Sequence, residues 1–154
     1  LPGFMGDIGY AQSNRERYEG FCQALMDAGK TPNPSLCLTT PLGIDSYREE
    51  IDSFLSSLSR MPDAFVCASD YVACILMQLL EKRGLRVPED VAVSGFDNNI
   101  EDLLAENLTT VQVFNEELGS RLALQILYRI KYPHTPHEVT YLESKVLYRA
   151  STGD

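Results

Sequence analysis

Apolar side chains recur along this chain in two alternating rhythms. From Ser13 to Ala28, Tyr18, Phe21, Cys22, Leu25 and Met26 fall on the i, i+3, i+4, i+7, i+8 stripe of an amphipathic helix, with Gly29 at the C′ position. Ser13 and Glu16 have capping-box spacing. Ile44, Tyr47, Ile51, Phe54, Leu55 and Leu58 predict a second helix, with Ser46 and Glu49 as another capping pair. Asp70 to Arg83 predicts a third, apolar nearly all round and stopped by Gly84 and Pro88. Between these lie short apolar runs, Leu1 to Met5, Leu36 to Thr39, Ala64 to Cys67 and Val91 to Ser94. They are too brief for helices and suit strands buried on both faces of a parallel sheet. Strand and helix alternating at this spacing predict an α/β fold with a doubly wound parallel sheet.

Beyond Asn99 the rhythm changes. Glu101 to Asn107 is acidic and reads as a loop with a helical turn, and Thr109 to Val113 reads as a strand. Asn115 to Ile130 predicts a helix with Leu118, Leu122 and Ile126 on one face and Ala123, Leu127 and Ile130 on another. A helix apolar on two sides needs more than one partner surface. Pro133 to Pro136 is a loop, and Val139 to Leu142 and Lys145 to Tyr148 are expected closing strands.

Composition narrows the function classes. The 154 residues carry a net charge of −9 and no basic cluster, which argues against this chain itself gripping a nucleic-acid backbone. No stretch has the length and polarity of a membrane span, and no secretion signal is recognisable. The four cysteines lack paired spacing, and three lie in apolar segments, which predicts reduced thiols and a cytoplasmic protein. Leu1 opens the sequence inside a strand-like run, so a piece of a longer protein is expected.

Candidate chemistry is sparse. There is no G-x-G-x-x-G, no G-x-x-x-x-G-K and no G-x-S-x-G. His134 and His137 lie in a proline-rich loop without further soft ligands, so no metal and no cofactor are expected, and no enzyme. Asp97 is the strongest single candidate. Gly95 ends the fourth strand, which places Asp97 at the carboxyl edge, where open α/β sheets bind ligands. On pattern alone, a ligand contact and a loop aspartate capping the backbone are about equally good readings. Arg17, at the edge of the first helix's apolar stripe, is by itself most simply a surface arginine. Asp70 is the natural N-cap of the third helix, and Ser13 the cap of the first.

The run GLRVPEDVAVSGFDN (Gly84 to Asn98), followed by Leu108-Thr109-Thr110-Val111, resembles the effector-binding domain of the LacI/GalR family of bacterial transcription regulators. Arg17-Tyr18-Glu19-Gly20-Phe21, the run from Pro62 to Ala73, and Tyr148 to Thr152 carry the same resemblance in the same order. It implies a periplasmic-binding-protein-like fold of type I, in which two lobes hinge about a cleft. Residues 1–108 would be the second lobe, 109–137 a crossover strand and helix belonging to the first, and 138–154 closing strands back in the second. It further implies a ligand site of Ser13, Arg17, Ser69, Asp70 and Asp97 for a small sugar-like effector. Leu42 stands where the family often places an aromatic, and Val113 where many relatives carry a polar group. A homodimer is implied through Tyr71, Cys74, Ile75 and Leu103, with operator DNA bound only by an N-terminal helix-turn-helix outside this chain. Surplus apolar surface on the third helix supports the same patch. The alternative is a solute-binding protein of an ABC-type sugar transporter, which the cysteines disfavour; a Rossmann-type enzyme has no motif behind it.

Overall fold

A computed structural model describes residues 1–43, 45–99 and 105–153. Its centre is a parallel sheet in the order β2-β1-β3-β4. The strands are β1 (Pro2–Met5), β2 (Cys37–Leu38), β3 (Ala64–Cys67) and β4 (Ala92–Ser94). Register runs Phe4↔Val66 and Met5↔Cys67 on one side of β3, and Phe65↔Val93 on the other. Successive side chains point to opposite faces, so each strand feeds two cores. Phe4 and Ala68 meet Phe21 and Leu25 of α1 (Gln12–Asp27). Met5, Phe65, Cys67 and Val93 face α2 (Tyr47–Ser57) and α3 (Asp70–Lys82), where Ile51, Leu76 and Leu80 are fully buried. Helices on both faces make the sheet doubly wound, as the alternation of elements predicts.

The sheet is extended at its β4 edge. β5 (Thr110–Gln112) follows β4 through parallel bridges Ser94↔Thr109 and Asp97↔Gln112, with the Gly95 amide donating to the Thr109 carbonyl at 2.8 Å. β6 (Lys145–Leu147) then pairs antiparallel with β5. A 3-10 turn at Ala150–Thr152 returns to the core. There the Ser151 hydroxyl accepts from the Thr109 amide (2.8 Å) and donates to the Val93 carbonyl (2.6 Å). Ser151 is 2% exposed, a buried hydroxyl with both capacities used.

Several sequence expectations are corrected. The Ser13/Glu16 capping box does not form: α1 is capped at Ala11 without a side-chain bond, and Ser13 sits inside the first turn. Asn14 does the local stitching instead, its amide donating to the Asp7 carbonyl at 2.9 Å. Ser46 does cap α2, but its hydroxyl bonds Glu50 and no capping amide. The N-cap of α3 is Ser69, which accepts from the Val72 amide, and Asp70 is the first helical residue. Val139 to Leu142 forms no strand. The apolar surplus on α3 is absorbed within the chain: Cys74, Ile75 and Met77 are buried in the core shared with α2, and only Tyr71 is exposed. α2 shares this core with α3, and the Arg83–Asp52 ion pair at 2.6 Å ties the two helices together. Leu103 and Ile44 lie outside the described residues. None of the four cysteines is in a disulfide.

α4 (Asn115–Lys131) is the exception to this economy. None of its residues is buried, and Leu118, Leu122, Leu124, Ile126, Leu127 and Ile130 are all exposed.

Candidate ligand-binding site

The loops at the carboxyl ends of β1, β3 and β4 converge on one cluster. Gly6 ends β1 so close to β3 that a Cβ there would lie 2.2 Å from that of Ala68. This closeness lets α1 approach the end of β3, and Arg17 spans the gap. Its Nη1 donates to the Ala68 carbonyl at 2.6 Å and to Asn14 Oδ1 at 3.4 Å. Its guanidinium carbon lies 3.6 Å from the centroid of the Phe96 ring, a cation–π stack. Its Nη2 lies 3.7 Å from Asp97 Oδ1.

Asp97 sits in an unusual backbone conformation. Its φ is +113°, and that of Asn98 is +50°. A non-glycine residue in that region costs on the order of 1–3 kcal/mol, and such strain persists only where the surroundings over-determine it. Here they do. The Asp97 amide donates to the Val111 carbonyl at 3.0 Å, and the Asn98 amide donates to Asp70 Oδ2 at 2.7 Å. Arg149 donates to Asn98 Oδ1 at 2.8 Å and to the Leu108 carbonyl at 2.9 Å.

Asp70 lies behind this turn. It is 2% exposed, and its Oδ1 accepts from the Thr110 hydroxyl at 2.6 Å. Burial pushes the Asp70 carboxyl above the ordinary carboxylate range, against hydrogen bonds that favour its charge. Asp97 is raised too, chiefly by burial and further by Asp70, with Arg17 opposing. Burial lowers Arg17, and the two aspartates counter it. Arg17 and the two carboxylates thus share a partly dry corner, and Arg17 opposes the rise at Asp97 while the Thr110 hydroxyl and the turn amides oppose it at Asp70.

The structure therefore brings Arg17, Asp70 and Asp97 together. Ser69 adjoins them, half-buried and engaged as a cap, while Ser13 lies exposed one turn ahead of Arg17 on α1. Leu42 is buried and its amide meets Asp7 Oδ2 at 3.4 Å. Of the expected dimer residues, Tyr71 is 53% exposed and packs edge-on against Tyr47. Cys74 and Ile75 are turned inward. Sequence reasoning missed Asn14, Phe96 and Arg149. Asn14 was recoverable from its spacing three residues before Arg17; the other two act across long stretches of chain, which no local pattern records.

What an arginine with a half-committed fork and a partly exposed aspartate can do at a sheet's carboxyl edge is hydrogen-bond a small polar ligand from one side. A small group of polar side chains converging at such an edge is the geometry of a ligand-binding α/β domain. Residues 3–152 match the family described as periplasmic binding protein-like domain. The HTH-type transcriptional regulator DegA of Bacillus subtilis is 34% identical over 117 residues, covering 75% of this chain and 34% of that protein. A structure described as a LacI-family transcriptional regulator from Sanguibacter keddieii superposes with a TM-score of 0.84 at 27% identity, over 99% of this chain and 58% of that one. The transcriptional regulator CelR–cellobiose complex also gives 0.84 at 27% identity, over 97% and 46%. The chain belongs to the periplasmic binding protein-like domain family, and the relatives it is similar to include LacI-family regulators. It spans less than half the length of the curated relatives it matches.

Proposed function

We propose that this chain is the effector-sensing part of a LacI/GalR-type transcriptional repressor and works by ligand recognition, without catalysis. The carrying observation is the Arg17–Asp97 pair at the carboxyl edge, stacked on Phe96 and strained into place. Asp97 accepts from hydroxyls, and the remaining N–H groups of Arg17 donate to their oxygens, a pattern suited to a sugar-like metabolite. Ser13 and Ser69 border the same contact zone. The cellobiose carried by a similar regulator supports this ligand class. The unburied face of α4 meets the first lobe, so a ligand held between lobes favours the closed arrangement. In the whole protein that population shift alters operator affinity through the DNA-binding domain. The protein is a cytoplasmic homodimer whose contact includes Tyr71 and the 99–107 segment.

The test uses the intact protein. Calorimetric titration with a panel of mono- and disaccharides should find at least one that binds, and the same sugar should change retention of operator DNA in a gel-shift assay. Binding of none of them, or binding with no effect on DNA, would remove this reading.

A further inference from the structure

The carboxylate of Asp70 was expected to touch ligand, yet it is enclosed by protein. The turn after β4 is wrapped round it: the Asn98 amide donates to Oδ2 at 2.7 Å, and the amides of Asn99 and Phe96 add favourable interactions. Two successive residues with positive φ, Asp97 and Asn98, set the direction of the Asn98 and Asn99 amides, much as backbone builds a nest for an anion. The Asp70 amide in turn donates to the Phe96 carbonyl at 2.8 Å, closing the bracket from the other side. Gly95 leaves no space between: a Cβ there would lie 2.2 Å from Asp70 Oδ1. Oδ1 also holds Thr110 on β5, the strand whose Val111 carbonyl receives the Asp97 amide.

We propose that Asp70 is the positioning residue of this site, an internal anion around which the Phe96–Asn99 turn folds so that Asp97 faces Arg17. The strained φ of Asp97 is held by this bracket, and Asp70 acts on ligand only through Asp97. This rests on the proposed function solely in naming Asp97 as the ligand-facing group.

Asp70→Asn keeps the volume but replaces one acceptor oxygen with N–H donors, which the converging amides repel. In a crystal structure of the intact Asp70→Asn protein, Asp97 should leave positive φ and the Arg17–Asp97 separation should exceed the roughly 4 Å of an ion pair. An unchanged turn would overturn the proposal. Should this variant fold too poorly to crystallise, thermal denaturation in the Asp97→Gly background decides. Glycine adopts positive φ without strain. The loss of Tm, or of soluble protein, caused by Asp70→Asn should therefore be smaller there than with Asp97 present. An equal loss in both backgrounds means that Asp70 only fills a buried polar gap, and the proposal falls. Neither readout uses a sugar, so a failed ligand screen beside a displaced turn would count against the proposed function alone.

Discussion

Arg17 and Asp97 together illustrate how a pair too far apart for a tight ion pair keeps capacity for something else. Each side chain stays partly exposed, Arg17 at 21% and Asp97 at 29%. Arg17→Ala or Asp97→Ala in the intact protein should lower affinity for the sugar identified by titration about 10- to 100-fold, since a charged hydrogen bond contributes about 1.5–3 kcal/mol. Calorimetry of the variants checks this; wild-type affinity in both would remove the pair from the site. Their titration gives a second expectation. The Asp97 carboxyl is raised in the folded protein, so just above the ordinary value of about 3.9 the native state holds more protons than the unfolded chain. Its contribution to stability is full below that value and is lost as pH rises through the raised one. Tm should therefore fall less steeply from about pH 4 upward in Asp97→Asn than in the wild type, by calorimetric scans across that range. Parallel curves would mean that Asp97 does not feel its buried surroundings.

At the scale of elements, what could be read from sequence and what could not divide along a physical line. β3 falls at Ala64–Cys67 as expected, and α3 ends within one residue of its expected stop, because Gly84 and Pro88 act locally. Asp97 was also legible, since the end of a buried strand and a following glycine suffice to put a residue at the sheet's edge. The misreadings need partners that lie far along the chain. Ser13 lost its capping role because Asn14 reaches back to Asp7, and Cys74 and Ile75 are buried in the core that α2 and α3 share. Arg149 lies 51 residues from the asparagine it holds. One such junction is Gly95, which lies tight against both Asp70 and Leu108. Gly95→Ala should destabilise the protein by about 1–3 kcal/mol, the range of overpacking, in urea denaturation. A loss below experimental error would show that β4 and α3 can part without cost.

For the whole molecule, the contrast between α3 and α4 sets the expectations. α3 is enclosed by its own chain, whereas α4 holds its apolar side chains in the open. Most helical stability in proteins comes from packing an apolar face, and α4 has no such packing among the described residues. Residues 1–154 expressed alone should bind a hydrophobic dye, and replacing Leu122 and Leu127 by Lys should weaken that signal without loss of secondary structure. Unchanged dye fluorescence would place the exposed surface elsewhere. For the proposed homodimer, Tyr71→Glu is the informative substitution, since a charge at buried Cys74 would damage the core itself. Light scattering of the intact Tyr71→Glu protein should give monomer mass; persistence of the dimer would exclude this face. The Ser151 clasp carries a consequence of a different kind. It joins Val93 and Thr109 to a residue 58 and 42 positions further along. During synthesis at about 5–20 residues per second, the ribosome releases Thr109 seconds before Ser151. For that interval β4 and β5 wait with unpaired polar groups at their junction, so a pause within the α4 codons would lengthen the nascent chain's exposure to proteases.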